Sequence, residues 1–493
     1  MTKCIMVQGT MSGVGKSLLV TALCRIFRQD GYRAAPFKSQ NMALNSYITR
    51  DGLEMGRAQA VQAQAAGLEP DVRMNPILLK PSSDTGSQVI VGGEVRGEYR
   101  AAEYFRMKRG LIPEILSAYR SLAAEADIIV IEGAGSPAEI NLKAGDIVNM
   151  GLAGLVDAPV LLVGDIDRGG VFAQLWGTVA LLEPEERRRI VGCVINKFRG
   201  DAEILRPGLA MLEERTGVPV LGVVPYTPVD IDDEDSLSDR LLQSRPNKPV
   251  DIAVLRLPRI SNFTDFAPLE HHEALGVRYV SDAAALGTPD LILLPGTKNT
   301  MGDLLWMRQN GLEAAVKRRV ASGTPVMGIC GGYQMLGQTL SDPDGVEHGG
   351  TIAGMGLLPC ETVFSARKTR TRAAATVRAP AFSGTRVEGY EIHMGQTACN
   401  GAAPFGILSD GRPEGAVRGN VCGTYLHGLF DSGELTGKLA GWLLGRKGLP
   451  ASSAGPESHR AYQERQFDLL ADTVRTGLDM NAVYRAMEEF GHG

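Results

Sequence analysis

One cysteine lies in a setting that is typical of a catalytic nucleophile. Cys330 stands in the stretch TPVMGICGGYQMLG, after Gly328 and before Gly331 and Gly332. An apolar strand over Val326–Ile329 is expected to lead into it, and a helix is expected to follow. Small neighbours permit the sharp strand-to-helix turn that exposes a nucleophile at a helix N-terminus, where a thiolate is stabilised. The alternative is a buried, inert cysteine, and the glycine spacing favours the nucleophile.

A cysteine nucleophile needs a base, and the sequence offers seven histidines. His427 lies in VCGTYLHGLFDS, after a predicted strand, and His393 lies in GYEIHMG. The residues alone do not choose between these two, whereas the other five lie in polar or loop-like stretches. A tetrahedral intermediate also needs donors to its oxyanion. The backbone N–H of Gly331 is one candidate, and the turn LLPGTKNT supplies a second at Gly296 or Thr297.

The N-terminal run KCIMVQGTMSGVGKSLLVTALCRIFRQDG has the order strand, Gly-rich loop, helix. In that order, backbone N–H groups and the helix dipole hold phosphates, a lysine neutralises β/γ charge, and a hydroxyl reaches Mg²⁺. The standard spacing requires glycine at position 10, where this chain has Thr10, with Gly9 one residue earlier. A simple glycine-rich turn is the alternative. We predict an ATP site formed by Thr10, Gly13, Gly15, Lys16 and Ser17.

Acidic residues at the ends of later strands are candidates for the same site. Glu132 ends the predicted strand of ADIIVIEGAGSP and is followed by glycines. A carboxylate in that place suits Mg²⁺ coordination or activation of the γ-phosphate, although a surface turn would also accept it. The predicted magnesium ligands are therefore Ser17 and Glu132. Asp146, in NLKAGDIVNMG, is a further candidate acid for the synthetase site, and Asn196–Lys197 is a candidate for recognition of the nucleobase.

The elements that must position these residues form an α/β pattern. Short apolar runs alternate with helix-like stretches, which predicts parallel sheets covered on both faces. A polar stretch interrupts the pattern once, and the pattern restarts near residue 251. We predict two doubly wound, mostly parallel-sheet domains over 1–226 and 251–447, a linker over 227–250 and a helical tail over 448–493. Short β elements are expected over 361–420.

Composition narrows the class of protein. The 493 residues are 44% hydrophobic and 22% charged, with a formal net charge of -5, which is the balance of a soluble multidomain protein and argues against a nucleic-acid binder. The apolar runs are too short to span a membrane, and no signal peptide is evident. The seven cysteines are scattered without CxxC pairs. We therefore expect neither a disulfide framework nor a zinc site, and we expect a cytoplasmic location.

The motifs of the C-terminal half resemble a known family. LLPGTKNT, GICGGYQMLG and GTYLHGLF are together similar to a class I, Cys-type glutamine amidotransferase domain of the corrinoid amide synthases. The resemblance implies Cys330 as nucleophile and His427 as base, and it gives His393 a structural or substrate-facing role. In the wider class a glutamate lies two residues after the histidine and completes a triad. That position is Leu429 here, so a Cys–His dyad is expected.

The N-terminal half resembles the same enzymes. Its phosphate loop is similar to that of dethiobiotin synthetase-like and MinD-like ATPases, which implies a P-loop NTPase-like fold. The motifs PFKSQNMALNS, MGRAQAVQAQAAG and MNPILLKP are similar to those of the cobyric acid synthase family. The resemblance implies ATP and Mg²⁺ as cofactors and a corrinoid and L-glutamine as substrates. The implied reaction amidates the b, d, e and g carboxylates of adenosylcobyrinic (or hydrogenobyrinic) acid a,c-diamide. We hypothesise that ammonia crosses between the domains, shielded from water.

Two other readings compete with this one. Cobyrinic acid a,c-diamide synthase, or another glutamine-dependent amidoligase, would share the fold and both sites. A MinD/ParA-like regulatory ATPase would share only the phosphate loop and would leave Cys330 unused. That class predicts a basic amphipathic tail, whereas the predicted C-terminal helix carries acidic residues such as Asp468, Asp472 and Asp479. The amidoligase reading therefore accounts for more of the sequence.

Overall fold

The computed structural model describes residues 2–82, 86–231, 248–451 and 458–490, and these fall into two units. The first unit comprises residues 2–42, Leu53–Ile231 and the described residues from Gln463 onward. The second comprises Ala43–Gly52 and residues 248 to Tyr462, apart from the undescribed stretch within that range. Most of the predicted linker, 227–250, lies outside the described residues.

The first 231 residues alternate strands and helices. The strands are β1 (Lys3–Gly9), β2 (Ala34–Phe37), β3 (Gln40–Met42), β4 (Ser46–Ile48), β5 (Glu54–Gly56), β6 (Ile77–Pro81), β7 (Gly86–Val91), β8 (Glu94–Arg100), β9 (Ile128–Glu132), β10 (Val160–Asp165), β11 (Ile190–Phe198) and β12 (Val220–Pro225). The helices are α1 (Lys16–Gln29), α2 (Arg57–Ala65), α3 (Ala101–Met107), α4 (Ile112–Ala123), α5 (Met150–Val156), α6 (Val171–Leu181), α7 (Pro184–Arg187) and α8 (Arg206–Thr216).

The residues from 248 onward repeat this alternation and add longer strands. The strands are β13 (Val250–Leu255), β14 (Ile260–Ser261), β15 (Leu275–Val280), β16 (Leu291–Leu294), β17 (Gly296–Thr297), β18 (Val326–Ile329), β19 (Thr339–Asp342), β20 (Gly350–Ala353), β21 (Cys360–Val377), β22 (Arg386–Cys399), β23 (Gly406–Leu408), β24 (Pro413–Glu414), β25 (Ala416–Arg418), β26 (Val421–Thr424) and β27 (Leu426–His427). The helices are α9 (Ala267–His271), α10 (Ala283–Leu286), α11 (Thr300–Gln309), α12 (Leu312–Ala321), α13 (Gly331–Met335), α14 (Glu434–Arg446), α15 (His459–Gly477) and α16 (Met480–Glu489).

The first unit is built on a parallel sheet with the strand order β12-β11-β10-β1-β9-β2. Every residue of β9 and β10 is buried, as expected for a sheet covered on both faces. The carboxyl ends of β1 and β9 are neighbours in this sheet, so the phosphate loop that follows β1 lies beside Glu132, the last residue of β9. A smaller sheet of order β3-β6-β7-β8 completes the unit.

The second unit holds a six-stranded sheet of order β15-β13-β16-β18-β26-β25, parallel except for the β25–β26 pair. Beside it lies a second sheet of order β20-β19-β21-β22-β27, in which β21 and β22 pair antiparallel over most of their length. The fold class of two α/β units with mostly parallel central sheets is confirmed. The short elements expected over 361–420 are confirmed for β23, β24 and β25 but are wrong for β21 and β22, which are long. The charged and polar residues of FSARKTRTR, at 364–372 in β21, conceal the alternation of that strand.

Two features of the chain differ from expectation. Cys360 and Cys399 face each other in the β21–β22 ladder and form a disulfide, a single bond that the scattered cysteines did not lead us to expect. The predicted C-terminal tail divides between the units, and its part from Gln463 onward belongs to the first. There Phe467, Leu470 and Val474 join the apolar core formed by the central sheet and α1. Among the described residues, no helix is long and apolar enough to cross a bilayer.

Candidate functional site

The predicted elbow is present at the end of β18. Cys330 has φ 52° and ψ -109°, a conformation that is costly for a residue with a side chain and is kept where the surroundings impose it. A β-carbon on Gly328 would lie 2.6 Å from the backbone of Gly332, and one on Gly332 would lie 2.1 Å from the carbonyl oxygen of Leu294. Only glycine fits at these two positions, so the G-x-C-G-G spacing is the condition for turning the chain here.

The thiol of Cys330 points toward β22. Its side chain is almost buried, and Sγ lies 3.5 Å from the carbonyl oxygen of Ile392 as a weak donor. The backbone N–H of Cys330 donates to the carbonyl oxygen of Thr424, at 2.8 Å, which fixes the elbow to the end of β26. His427 lies three residues after Thr424 in the sequence, so the strand end that anchors the predicted nucleophile also carries the predicted base.

His427 is fully buried and has an acidic partner that we did not predict. Its Nδ1 lies 2.6 Å from Oδ2 of Asp265, and the other oxygen, Oδ1, accepts the backbone N–H of Gly428 at 3.0 Å. Burial by itself would lower the pKa of His427, but the Asp265 carboxylate and the Cys330 thiol outweigh it and raise that pKa. The expected Cys–His dyad is therefore incomplete. Asp265 stands where the third member of a triad would stand, in the short 3₁₀ turn Phe263–Phe266.

His393 has the surroundings of a neutral, structural histidine. Its ring stacks on Tyr425 with centroids 3.7 Å apart, and its Nδ1 lies 2.7 Å from the carbonyl oxygen of Gly395, which requires the proton on that nitrogen. Burial lowers the pKa of His393 to about 4. Of the two histidines that the residues left open, His427 is the one with a carboxylate at Nδ1, and it is the better candidate for the base.

The candidate oxyanion donors surround the same point. Strands β14 and β17 pair so that Ser261 faces Gly296 and Ile260 faces Thr297. A β-carbon on Gly331 would lie 3.1 Å from the backbone nitrogen of Thr297, and one on Gly296 would lie 3.2 Å from Cε1 of His427. The turn LLPGTKNT is thus in contact with both the elbow and the histidine. The assignment of Gly296 and Gly331 as donors stays a prediction.

The phosphate loop of the first unit, like the turn at Cys330, depends on glycines for its backbone path. Gly13 and Gly15 have φ angles of 75° and 95°, which glycine adopts without strain. A β-carbon on Gly9 would lie 2.5 Å from Cγ2 of Val14, so glycine is also required where the loop leaves β1. Lys16 Nζ donates to the carbonyl oxygens of Met11, at 3.0 Å, and Gly135, at 3.1 Å. Lys16 therefore lies across the loop, where the oxygens of a bound phosphate could replace these carbonyl groups as acceptors of its hydrogen bonds.

Glu132 is the centre of a polar cluster at the base of that loop. Its Oε1 accepts from Ser17 Oγ at 2.8 Å and from Lys38 Nζ at 2.9 Å, and its Oε2 accepts from Gln62 Nε2 at 2.6 Å. Full burial would raise the pKa of Glu132, but Lys38 and the donated hydrogen bonds lower it, so the group is a carboxylate. A hydroxyl and an ionised carboxylate side by side are hard oxygen ligands, which fits the predicted role in binding Mg²⁺. No three His, Cys, Asp or Glu side chains cluster as a metal site in the part of the chain that the structure describes.

Comparison with known proteins identifies the family. Residues 5–236 match the model of the CobQ/CobB/MinD/ParA nucleotide binding domain, and residues 251–435 match that of the CobB/CobQ-like glutamine amidotransferase domain. The chain is 58% identical to the cobyric acid synthase of Ruminiclostridium cellulolyticum, covering 99% of this chain and 98% of that one. It is 56% identical to the cobyric acid synthase of Lachnoclostridium phytofermentans, covering 99% of this chain and 100% of that one. It is 52% identical to the cobyric acid synthase of Clostridium acetobutylicum, covering 98% of each chain.

The chain belongs to the cobyric acid synthase family. It is a glutamine-dependent amidoligase of cobalamin biosynthesis, and the first unit is its nucleotide-binding part.

Membership of the cobyric acid synthase family leaves several individual residues as predictions. Asp146 accepts hydrogen bonds from the backbone N–H groups of Val148, Asn149 and Gly151, at 2.8 to 2.9 Å, so its carboxylate organises the turn before α5. Its role as a synthetase-site acid stays a prediction. Thr10 lies against Gln174, with 3.1 Å between Oγ1 and Oε1.

The candidates for nucleobase recognition are engaged with the phosphate loop. Asn196 donates from Nδ2 to the carbonyl oxygen of Val14 at 2.8 Å. Lys197 donates from Nζ to the carbonyl oxygen of Gly13 at 2.6 Å and to Oδ2 of Asp165 at 2.8 Å. Both side chains support the loop from the end of β11, and base recognition by either remains a prediction.

Sequence reasoning missed three members of these sites. Lys38 and Gln62 contact Glu132, and Asp265 contacts His427. Lys38 and Gln62 lie inside the motifs PFKSQNMALNS and MGRAQAVQAQAAG, which carried the family resemblance but no residue-level role. Asp265, in SNFTDF, carries no pattern in its neighbourhood that distinguishes it from other loop acids. A search for an acid behind the histidine could have found it only with the fold in hand.

Proposed function

We propose that this protein converts adenosylcobyrinic (or hydrogenobyrinic) acid a,c-diamide to cobyric acid by amidating its b, d, e and g carboxylates, with ATP and glutamine consumed at each step. The observation that carries the proposal is the presence in one chain of a Cys330–His427–Asp265 constellation and a phosphate loop whose Ser17 touches Glu132. The first suits amide hydrolysis and the second suits phosphoryl transfer. Relatives that span the chain bear the name of this enzyme.

In the proposed glutaminase reaction, Cys330 is the nucleophile. Asp265 keeps a proton on Nδ1 of His427 and raises its pKa, so His427 can take the thiol proton at its other nitrogen. Sulfur attacks the side-chain amide of glutamine, and the oxyanion is stabilised by backbone N–H groups at Gly331 and Gly296. His427 then returns the proton to the leaving nitrogen, which releases ammonia and leaves a γ-glutamyl thioester. Water, deprotonated by His427, hydrolyses the thioester to glutamate and restores the thiol.

In the proposed synthetase reaction, a corrin carboxylate attacks the γ-phosphorus of ATP. The products are ADP and an acyl phosphate, which is an acyl donor where a free carboxylate is not. Lys16 and the backbone N–H groups of the loop stabilise the charge that moves to the β/γ-bridging oxygen. Bound Mg²⁺, held by Ser17 and Glu132, would neutralise phosphate charge. Ammonia attacks the acyl phosphate, and the amide forms as phosphate and a proton leave.

Glutamine hydrolysis within the protein solves a protonation problem. At neutral pH free ammonia is almost entirely ammonium, which has no lone pair for attack, whereas the thioester-forming step releases neutral ammonia. The test is Cys330→Ser, measured as amide formation with glutamine or with ammonium salts as nitrogen source. We expect glutamine-dependent amidation to be lost and ammonium-dependent amidation to remain. Cys422→Ser is the matched control, since Cys422 is a half-buried cysteine on the neighbouring strand β26 and should keep both activities.

The substrate is tested separately by mass spectrometry. The purified protein is incubated with Mg-ATP, glutamine and adenosylcobyrinic acid a,c-diamide, and the corrinoid masses are followed over time. A ladder ending at four added amides supports the proposal. Cobyrinic acid a,c-diamide synthase, the closest alternative, would leave this substrate unchanged and would add two amides to cobyrinic acid. A cytoplasmic location, where ATP is available, is part of the proposal and is tested by fractionation of cells.

A further inference from the structure

One short segment of the N-terminal half is part of the amidotransferase unit. Residues Ala43–Gly52 belong to the second unit, whereas the chain before and after them belongs to the first. The segment contains β4, Ser46–Ile48, in which Ser46 and Ile48 are buried. Several of its contacts within the second unit are made with residues that adjoin Cys330, His427 and Asp265.

The backbone of Ser46 closes a small ring of hydrogen bonds. Its N–H donates to Oδ1 of Asn262 at 3.3 Å, and its carbonyl oxygen accepts from the hydroxyl of Tyr390 at 3.3 Å. Asn262 in turn donates from Nδ2 to the Tyr390 hydroxyl oxygen at 3.1 Å. Asn262 is 3% exposed and Tyr390 is 6% exposed, so water does not replace these bonds easily.

Both side chains of this ring touch the histidine–aspartate pair. Tyr390 is the register partner of His427 in the β22–β27 ladder, and their rings stack with centroids 5.3 Å apart and planes inclined by 22°. Asn262 has a left-handed φ of 52° and immediately precedes the turn that carries Asp265, whose N–H donates to the Asn262 carbonyl oxygen at 3.0 Å. One residue therefore covers a face of the imidazole, and the other starts the turn that holds the carboxylate.

The same segment also supports the wall beside the nucleophile. Ile48 is fully buried and packs with Tyr390 and Ile392 in one apolar cluster. The carbonyl oxygen of Ile392 is the acceptor for the Cys330 thiol. The segment is thus one contact removed from each of the three residues that are proposed to hydrolyse glutamine.

We propose that Asn262 and Tyr390 are positioning residues of the glutaminase site, and that the segment Ala43–Gly52 holds them in place through Ser46. The proposal rests on the proposed glutaminase role of Cys330 and His427. The Asp265 bond fixes one nitrogen of His427 but leaves the imidazole free to tilt about that bond. The Tyr390 ring, tied by its hydroxyl to Ser46 and Asn262, restricts the tilt and aims the other nitrogen. A stretch of the N-terminal half would then be needed for ammonia release.

Two substitutions remove these bonds with little other change. Tyr390→Phe keeps the stacked ring and removes the hydroxyl. Asn262→Gly keeps the left-handed backbone, which glycine adopts without strain, and removes the side-chain bonds to Ser46 and Tyr390. Tyr47→Phe is the matched control. Tyr47 lies in the same segment, but its hydroxyl accepts from Arg372, at 2.7 Å, and is not one of the groups that join Ser46, Asn262 and Tyr390.

The measurement is glutaminase kcat and KM for glutamine, together with ammonium-dependent amidation by the full-length protein. We expect kcat to fall about fivefold or more in each single variant, which corresponds to about 1 kcal/mol, the net contribution of one hydrogen bond to the alignment of His427. KM for glutamine and ammonium-dependent amidation should stay within twofold, because the glutamine pocket and the synthetase site are not altered. The double variant should lose less than the product of the two single losses, since both act through the same ring of bonds.

Other outcomes overturn the proposal. Unchanged kcat in Tyr390→Phe and Asn262→Gly would show that the ring of bonds does not position His427. Equal losses of glutamine- and ammonium-dependent amidation would show a general loss of structure. Failure of the proposed function would look different, because Cys330→Ser would then still use glutamine normally.

Discussion

Replacement of Asp265 by asparagine tests the part of the site that the fold alone revealed. Asparagine has the shape of aspartate, and its oxygen can still accept the backbone N–H of Gly428, which Asp265 accepts at 3.0 Å. Its amide N–H₂ would then face Nδ1 of His427. Nδ1 would have to become an acceptor, and the ring proton would move to the nitrogen that should receive the thiol proton of Cys330. The variant therefore holds His427 in the wrong tautomer.

The expected loss is large because the pair is buried. The side chains of His427 and Asp265 are 1% and 5% exposed and lie 2.6 Å apart, so neither salt nor water weakens their interaction much. Without the carboxylate, burial is no longer opposed by Asp265, and the pKa of His427 falls. The corresponding change in a Ser-His-Asp protease costs about 10⁴-fold in kcat, and the loss here should be smaller because a thiol is more acidic than a serine hydroxyl and depends less on its base. We expect glutaminase kcat to fall about 10³-fold, equivalent to about 4 kcal/mol of activation free energy.

The assay is glutamate release from glutamine at saturating substrate, in parallel with ammonium-dependent amidation. Asp265→Asn should lose the first and keep the second. Asp282→Asn is the matched control: Asp282 is an exposed acid of the same unit whose carboxylate caps α10 by accepting the N–H of Ala285. It should retain glutaminase activity. If Asp265→Asn kept glutaminase kcat within threefold of the unaltered protein, the triad reasoning would be refuted and a Cys–His dyad would suffice.

Three further predictions concern other parts of the molecule. Lys16→Ala should abolish amidation with either nitrogen source, while glutamate release in the absence of ATP persists, as measured by product chromatography. Burial raises the pKa of Glu414 from 4.5 to about 7, so the folded protein holds a proton that the unfolded chain releases in this range. The free energy of unfolding should therefore fall as pH rises from 4.5 to 7. Glu414→Gln should make the total decrease over that range smaller by up to about 3 kcal/mol, as measured by denaturant titrations at several pH values. Denatured protein purified without reductant should show five titratable thiols, rising to seven after reduction of the Cys360–Cys399 bond.

The parts of the sites that could be predicted from sequence are contiguous in the chain. The phosphate loop and the elbow each depend on a backbone path that only glycine permits, and the φ angles of Gly13 and Gly15 show why. At Cys330 the strain falls on the proposed nucleophile itself, and glycine at positions 328 and 332 removes the β-carbons that would clash. These backbone requirements involve residues that are adjacent in the chain, so a short sequence motif is enough to recognise them. The alternating apolar runs likewise predicted the parallel sheets, because burial on both faces leaves a signal within each strand.

The parts that could not be predicted join residues that are far apart in sequence. Asp265 and His427 are 162 positions apart, and Lys38 and Glu132 are 94 apart. The sequence around Asp265 or Glu132 does not indicate which residue each acid contacts, because these contacts depend on which strand ends become neighbours in the fold. The placement of Ala43–Gly52 in the second unit is a more extreme case. Its sequence matched a family motif, yet its contacts with Asn262 and Tyr390 follow only from the tertiary fold.

The position of Leu429 explains why the acid had to come from elsewhere. This residue stands two positions after His427, where the wider class carries its glutamate, but it is 1% exposed and belongs to the apolar core of the second unit. A carboxylate there would be buried among hydrocarbon side chains and would be expensive to ionise. Asp265 reaches Nδ1 of His427 from the turn Phe263–Phe266, and its other carboxylate oxygen accepts the backbone N–H of Gly428, the residue after the histidine. The proposed glutaminase mechanism needs an ionised oxygen at Nδ1, and any segment that places one there would serve. An acid missing from the expected sequence position therefore does not indicate a missing member of the triad.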